Sequence, residues 1–114
     1  MEVEFEQFEA DVMKHIIMER PDFSEELMRQ YEASKVINRD TSIFGFYTSF
    51  EISNKGLRLK DNPNLELGDT QAKLEGLELG AGFVLFIRDG LIKALECYTY
   101  DEPWPTKITK YVLS

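Results

Sequence analysis

A chain of 114 residues with 43% hydrophobic and 30% charged side chains has the make-up of a folded domain, which excludes disordered and fibrous classes. It is long enough to withdraw roughly two-thirds of its unfolded surface from water without metals or bridges. The net charge of −8 repels a phosphate backbone, so nucleic acid is not an expected partner.

One domain spanning residues 1–114 is expected. The first residues, M-E-V-E-F-E-Q-F-E-A, are acidic and carry neither the basic nor the apolar part of a signal peptide, and no apolar run reaches membrane-spanning length. With Cys97 as the single cysteine no internal disulfide can form, and a free thiol suits a reducing compartment. The expected location is therefore cytoplasmic, away from membranes. The acidity is concentrated. Residues 1–32 hold ten acidic and three basic side chains, whereas residues 33–114 hold eleven and ten.

From Val3 to Glu19 the apolar Phe5, Phe8, Val12, Ile16 and Met18 recur at short helical steps with acids between them, which predicts an amphipathic helix. Glu2, Glu4 and Glu6 stand near its start, where carboxylates favour the positive end of the helix dipole. Pro21 ends it. Ser24 then serves as the expected N-cap of a second helix to about Ser34, with Leu27, Met28 and Tyr31 facing inward.

The apolar period then falls to two. Phe44, Phe46, Thr48, Phe50 and Ile52 share one face of a predicted strand, preceded by a short strand over 36–40. Asn54-Lys55-Gly56 reads as a turn into L-R-L-K at 57–60, whose charges suit an edge strand. Residues 61–64 are a loop. Thr70 to Leu77 alternates again, with Ala72 and Leu74 inward.

Phe83-Val84-Leu85-Phe86-Ile87 is apolar throughout, so it is expected to be a central strand covered on both faces. Gly76, Gly80 and Gly82 before it suit a turn or bulge. Asp89-Gly90 predicts a two-residue type I′ hairpin. That places Ile87 opposite Ile92, Leu85 opposite Ala94 and Phe83 opposite Glu96, with Tyr98 and Tyr100 farther along the same face. Pro103 and Pro105 bracket Trp104, and Ile108 to Leu113 forms a last strand. The fold class expected is α+β, with two N-terminal helices packed on one face of a mainly antiparallel sheet of five or six strands.

Chemistry-bearing residues are few. His15 is the one histidine, and with Asp11 and Glu19 four residues to either side it forms no convincing metal set without a cysteine or second histidine. Cys97 lies in an apolar strand away from Lys, Arg and His in sequence, as an inert thiol would. The glycines lack the Lys-Ser/Thr and following helix of a phosphate loop. No catalytic residue, metal or cofactor is assigned. The densest cluster of aromatic and acidic residues is Glu96, Tyr98, Tyr100, Asp101, Glu102 and Trp104. Tyr and Trp bury large area with few rotatable bonds and carboxylates favour a basic partner, so the cluster reads as a recognition surface. A second reading stays open, in which the tyrosines cover the sheet and Trp104 pins the segment.

The pattern G-A-G-F-x-L-F-I-x-D-G-x-I-x-x-L-E-x-Y-T-Y-x-x-P-W-P over residues 80–105 resembles the hallmark of a family of small bacterial proteins of unknown function. Gly45-Phe46-Tyr47-Thr48 and Gly68-Asp69 are similar to it as well. The resemblance implies a shared compact fold and brings no catalytic residues. From the acidic helical third, the aromatic and acidic strand end and the lack of catalytic residue types, the expected function is a non-enzymatic binding protein, of an immunity type, for a basic protein partner, acting as monomer or homodimer. The alternative is a small-molecule-binding protein or enzyme with a pocket near Glu96 and Trp104.

Overall fold

Apolar spacing of three and four residues does build helices in the first third of the chain. In a computed structural model that describes residues 1–114, α1 spans Phe5–Met18 and α2 spans Ser24–Ala33. Phe8, Val12, Met13, Ile16 and Ile17 of α1 and Leu27 of α2 are buried. Each contributes about 1.5–3 kcal/mol by leaving water. Val3 lies outside α1, because its N–H is taken by the Ile108 carbonyl at 2.7 Å. Met18, expected inward, ends the helix exposed.

Seven strands follow: β1 (Lys35–Ser42), β2 (Gly45–Glu51), β3 (Leu65–Leu67), β4 (Gln71–Leu74), β5 (Ala81–Arg88), β6 (Leu91–Thr99) and β7 (Tyr111–Leu113). All pairings are antiparallel, in the order β1-β2-β6-β5-β4-β7, with β3 also paired to β5. The fold is α+β. Phe46, Thr48 and Phe50 of β2, Phe83, Leu85 and Ile87 of β5, and Ile92, Leu95 and Cys97 of β6 are buried against the helices. Phe44, assigned to that inner row by its spacing, is instead in the β1–β2 turn and 47% exposed.

The hairpin turn forms at Asp89 (φ 53°) and Gly90 (φ 78°), and Ile87 opposes Ile92. Beyond that pair the expected register fails. The ladder shifts by one residue, so Phe86 opposes Ala94, Leu85 opposes Leu95 and Phe83 opposes Cys97. Lys93 is the extra residue. An unbroken ladder would carry Glu96 and Tyr98 to the helix side, where an unpaired carboxylate is costly. The bulge turns Leu95 and Cys97 inward and leaves Glu96 outward.

Three further expectations are corrected. Residues 57–60 form no strand: a 3-10 turn covers Lys55–Leu57, and Leu59 is buried with its N–H on the Gly90 carbonyl at 2.9 Å. Arg58 binds the Asp89 carboxylate and donates to the Asp89 carbonyl at 2.8 Å. These residues brace the hairpin turn rather than extend the sheet. Second, the sheet has seven strands, since the unassigned Leu65–Leu67 pairs with β5. Third, β5 is covered by helices on one face alone. Its outward residues Val84 and Phe86 are only half-buried, so its continuous apolar run reflects an apolar outer surface and not a second layer.

Two buried polar side chains hold the helices in place. Gln30 is fully buried on α2; its amide donates to the carbonyls of Leu57 and Gly90, both at 2.9 Å, and accepts from the Ile92 N–H at 2.8 Å. Glu9 on α1 accepts from Arg39 of β1 at 2.7 and 3.1 Å and from the Thr48 hydroxyl at 2.6 Å. Neither residue stood out in the sequence.

Candidate recognition face

The side chains that alternate with the inward rows form the uncovered face of the sheet. Glu96 lies at its centre, with Tyr47 opposite on β2 and Val84 opposite on β5. The Tyr47 ring stands 6.2 Å from that of Phe86, and the Arg88 guanidinium lies 5.2 Å from the Phe86 centroid. Tyr98 is the next outward residue of β6. Strand neighbours on both sides of it are glycines, Gly45 and Gly82, and its ring lies over Gly82 so closely that a Cβ there would sit 2.4 Å from Cζ. Only a glycine lets the ring lie this close to the strand, and any Cβ would move the ring outward.

Tyr100 continues the row. Its ring meets that of Tyr98 edge-on at 5.7 Å, and its hydroxyl donates to Gln71 Oε1 at 2.9 Å. Burial first, then the neighbouring Tyr100, push the Tyr98 phenol above its ordinary pKa. Tyr47 and Tyr100 keep 37% and 39% of their surface exposed. No hydrogen bond or ion pair engages the half-buried Glu96 carboxylate. Charge and aromatic area therefore stand together on a surface open to a partner.

The structure divides the sequence cluster. Glu96, Tyr98 and Tyr100 share the open face, and Asp101, with φ 65°, is exposed in the turn that follows. Glu102 is occupied by the fold: its two carboxylate oxygens accept the N–H groups of Glu78 and Leu79, each at 2.8 Å. Trp104 lies on the helix side, with its ring 6.0 Å from Phe8 and 5.5 Å from Phe46, and its backbone N–H donates to the Ile43 carbonyl at 2.7 Å. Tyr47, Val84 and Phe86 join the face unforeseen. The alternation of β2 and β5 marks them as outward, but the absence of a covering layer is not written in either strand.

Three surface cavities are present, and none is lined by Glu96 or Trp104. The largest, about 640 Å³, lies along β4 and β7 beneath the 75–80 turn and reaches Gln71 at the border of the tyrosine row. His15 Nδ1 is 3.0 Å from the Thr70 hydroxyl, and Nε2 is 3.6 Å from Glu19. Cys97 is buried, and burial first, then Glu96, push its thiol far above the ordinary range. The acidic residues Glu2, Glu4, Glu6, Glu26 and Glu32 are exposed on the helical side of the molecule. No helix is long and apolar enough to cross a membrane. Comparison with protein-family models, with curated proteins and with solved structures finds no match to this chain.

Proposed function

We propose that this chain is a cytosolic, non-enzymatic binding protein of an immunity type, which recognises a basic protein through the open face of its sheet. The observation that carries this reading is the Glu96 carboxylate, which has no cation of its own and lies between Tyr47 and Val84, with Tyr98 next along the face. A guanidinium or ammonium group from a partner would gain a charge-assisted contact to Glu96 and a cation–π contact to an adjacent ring. The net charge of −8 would speed the encounter at low ionic strength, and the rigid tyrosines would supply contact area at small entropic cost. The acidic helices lie on the other side of the molecule, so they steer rather than touch.

The test is affinity capture from cells at low salt with wild-type protein and with Glu96→Arg and Tyr98→Ala as bait. The expected result is a basic protein retained by the wild type, lost with Glu96→Arg and weakened with Tyr98→Ala. Equal retention by all three baits, or retention of acidic proteins alone, would overturn the reading.

A further inference from the structure

The irregularities of β1 and β6 lie at the same level of the sheet. In β1 the extra residue is Ile37, between Val36 opposite Phe50 and Asn38 opposite Ser49. In β6 it is Lys93, next to Ala94, which in turn opposes Ser49 from the other side. Both neighbours of β2 are therefore bulged beside Ser49 and Phe50. The β2–β6 ladder stops at that point, and the Ile92 N–H is given to Gln30 at 2.8 Å. The strands separate, and a cleft of about 320 Å³ opens between them, lined by both bulged residues.

The lining has two chemical halves. Ile37, Phe50 and Leu91 supply apolar surface, while Lys55, Arg88 and Lys93 stand against one acid, Glu51. Arg88 is held by Glu66 at 2.9 Å. Lys55 donates to the Ile52 carbonyl at 2.7 Å, which leaves its charge uncompensated, and Lys93 makes no ion pair. A local excess of cations beside an apolar wall is unexpected in a chain of net charge −8, and solubility does not call for it. Bulges are found where a side chain is re-aimed or a site is opened. A volume near the lower end of the ~300–1,000 Å³ range of small-molecule sites suits a compact ligand.

We propose that this cleft binds a small amphiphilic carboxylate, with its head group on Lys55 and Lys93 and its apolar body against Ile37, Phe50 and Leu91. The proposal does not rest on the Glu96 reading, although Arg88, which packs on Phe86 of the open face, borders the cleft as well. It is tested by amide NMR titration of the whole chain with octanoate, and with octylammonium and octanol as probes of equal chain length. Octanoate should give saturable shifts at residues 37, 50 and 91–93, and octylammonium should give none. Lys93→Glu should weaken octanoate by about tenfold or more, whereas Lys93→Arg, which keeps the charge, should stay within about threefold. Unchanged amides in α1 and β5 establish that each variant is folded. Octanol saturating as tightly as octanoate, indifference to Lys93→Glu, or no saturable shift at these residues would overturn the proposal.

Discussion

Arg39 and Glu9 meet in two hydrogen bonds, at 2.7 and 3.1 Å, across the junction between the edge strand β1 and helix α1. The Glu9 side chain is 4% exposed and that of Arg39 31%, so the charge that depends on the pair is the carboxylate. Its third acceptor contact, from Thr48, is neutral and cannot hold the charge alone. Breaking a buried pair costs ~3–5 kcal/mol when both partners are enclosed. With Arg39 partly solvated, Arg39→Ala is expected to cost about 2–3 kcal/mol. Arg39→Lys should recover only part of this, since a single ammonium cannot reproduce the two-pronged contact. Urea midpoints of the three proteins measure it.

Gln30 carries a comparable load without charge. Its amide satisfies two carbonyls and one N–H at the junction of α2, the 3-10 turn and the β5–β6 hairpin. Gln30→Leu keeps the volume and leaves the Ile92 N–H without a partner in the interior. The Gly90 carbonyl retains a donor from the Leu59 N–H, so the penalty falls mainly on Ile92 and Leu57. A loss of about 2–4 kcal/mol is expected, with faster hydrogen exchange at Ile92.

These two residues show where the sequence was silent. The helices, the Asp89-Gly90 turn and the inward row Phe46, Thr48, Phe50 and Ile52 follow from local period and turn chemistry, and they are found. Glu9 and Gln30 look like ordinary polar helix positions, because what buries them lies 27 to 62 residues away. The Lys93 bulge is hidden for a related reason: in L-I-K-A-L-E-C an apolar residue falls on both sides of the slip. Local alternation continues to look regular while the face changes. Nearness in sequence groups Trp104 with Tyr98 and Tyr100, but the positive φ of Asp101 turns the chain, and the ring ends on the helix side.

Gly82 and Tyr98 are expected to behave as one unit. A Cβ at Gly82 would sit 2.4 Å from Tyr98 Cζ and 2.5 Å from its hydroxyl oxygen, so Gly82→Ala must lift the ring from the sheet. The expected cost is about 1–3 kcal/mol. In a Tyr98→Ala background the same substitution should be nearly free, giving a coupling of about 1 kcal/mol or more. Additive effects in the double mutant would show that the ring does not lie over Gly82.

Cys97 is expected to be inert in the folded protein. The thiolate is the reactive form, and burial strongly disfavours it. An aromatic disulfide reagent at pH 8 should label Cys97 at the rate of unfolding, and the rate should rise with urea. Prompt stoichiometric labelling of native protein would contradict the burial of this side chain.

Tyr111 should leave a signature at alkaline pH. Its hydroxyl donates to the Asp11 carboxylate, and its ring meets Phe8 edge-on at 4.8 Å. Burial first, then Asp11, push the phenol from 10.0 up to about 12. Below pH 10 the proton is bound in folded and unfolded chains alike, and the contribution of the half-buried phenol is fully present. Between about 10 and 12 the unfolded chain loses this proton first, so rising pH favours unfolding. Tyr31 and Tyr98, whose pKa values are also raised, act in the same direction, so the wild-type curve alone does not isolate Tyr111. Tyr111→Phe keeps the ring against Phe8 and removes the ionisable hydroxyl. The variant should be less stable at pH 8, where it lacks the hydrogen bond, and the gap from wild type should narrow as pH rises through this window. Urea midpoints collected for both proteins from pH 8 to 12 give the difference curve, and a gap that stays constant would show that the Tyr111–Asp11 contact contributes nothing to the alkaline transition.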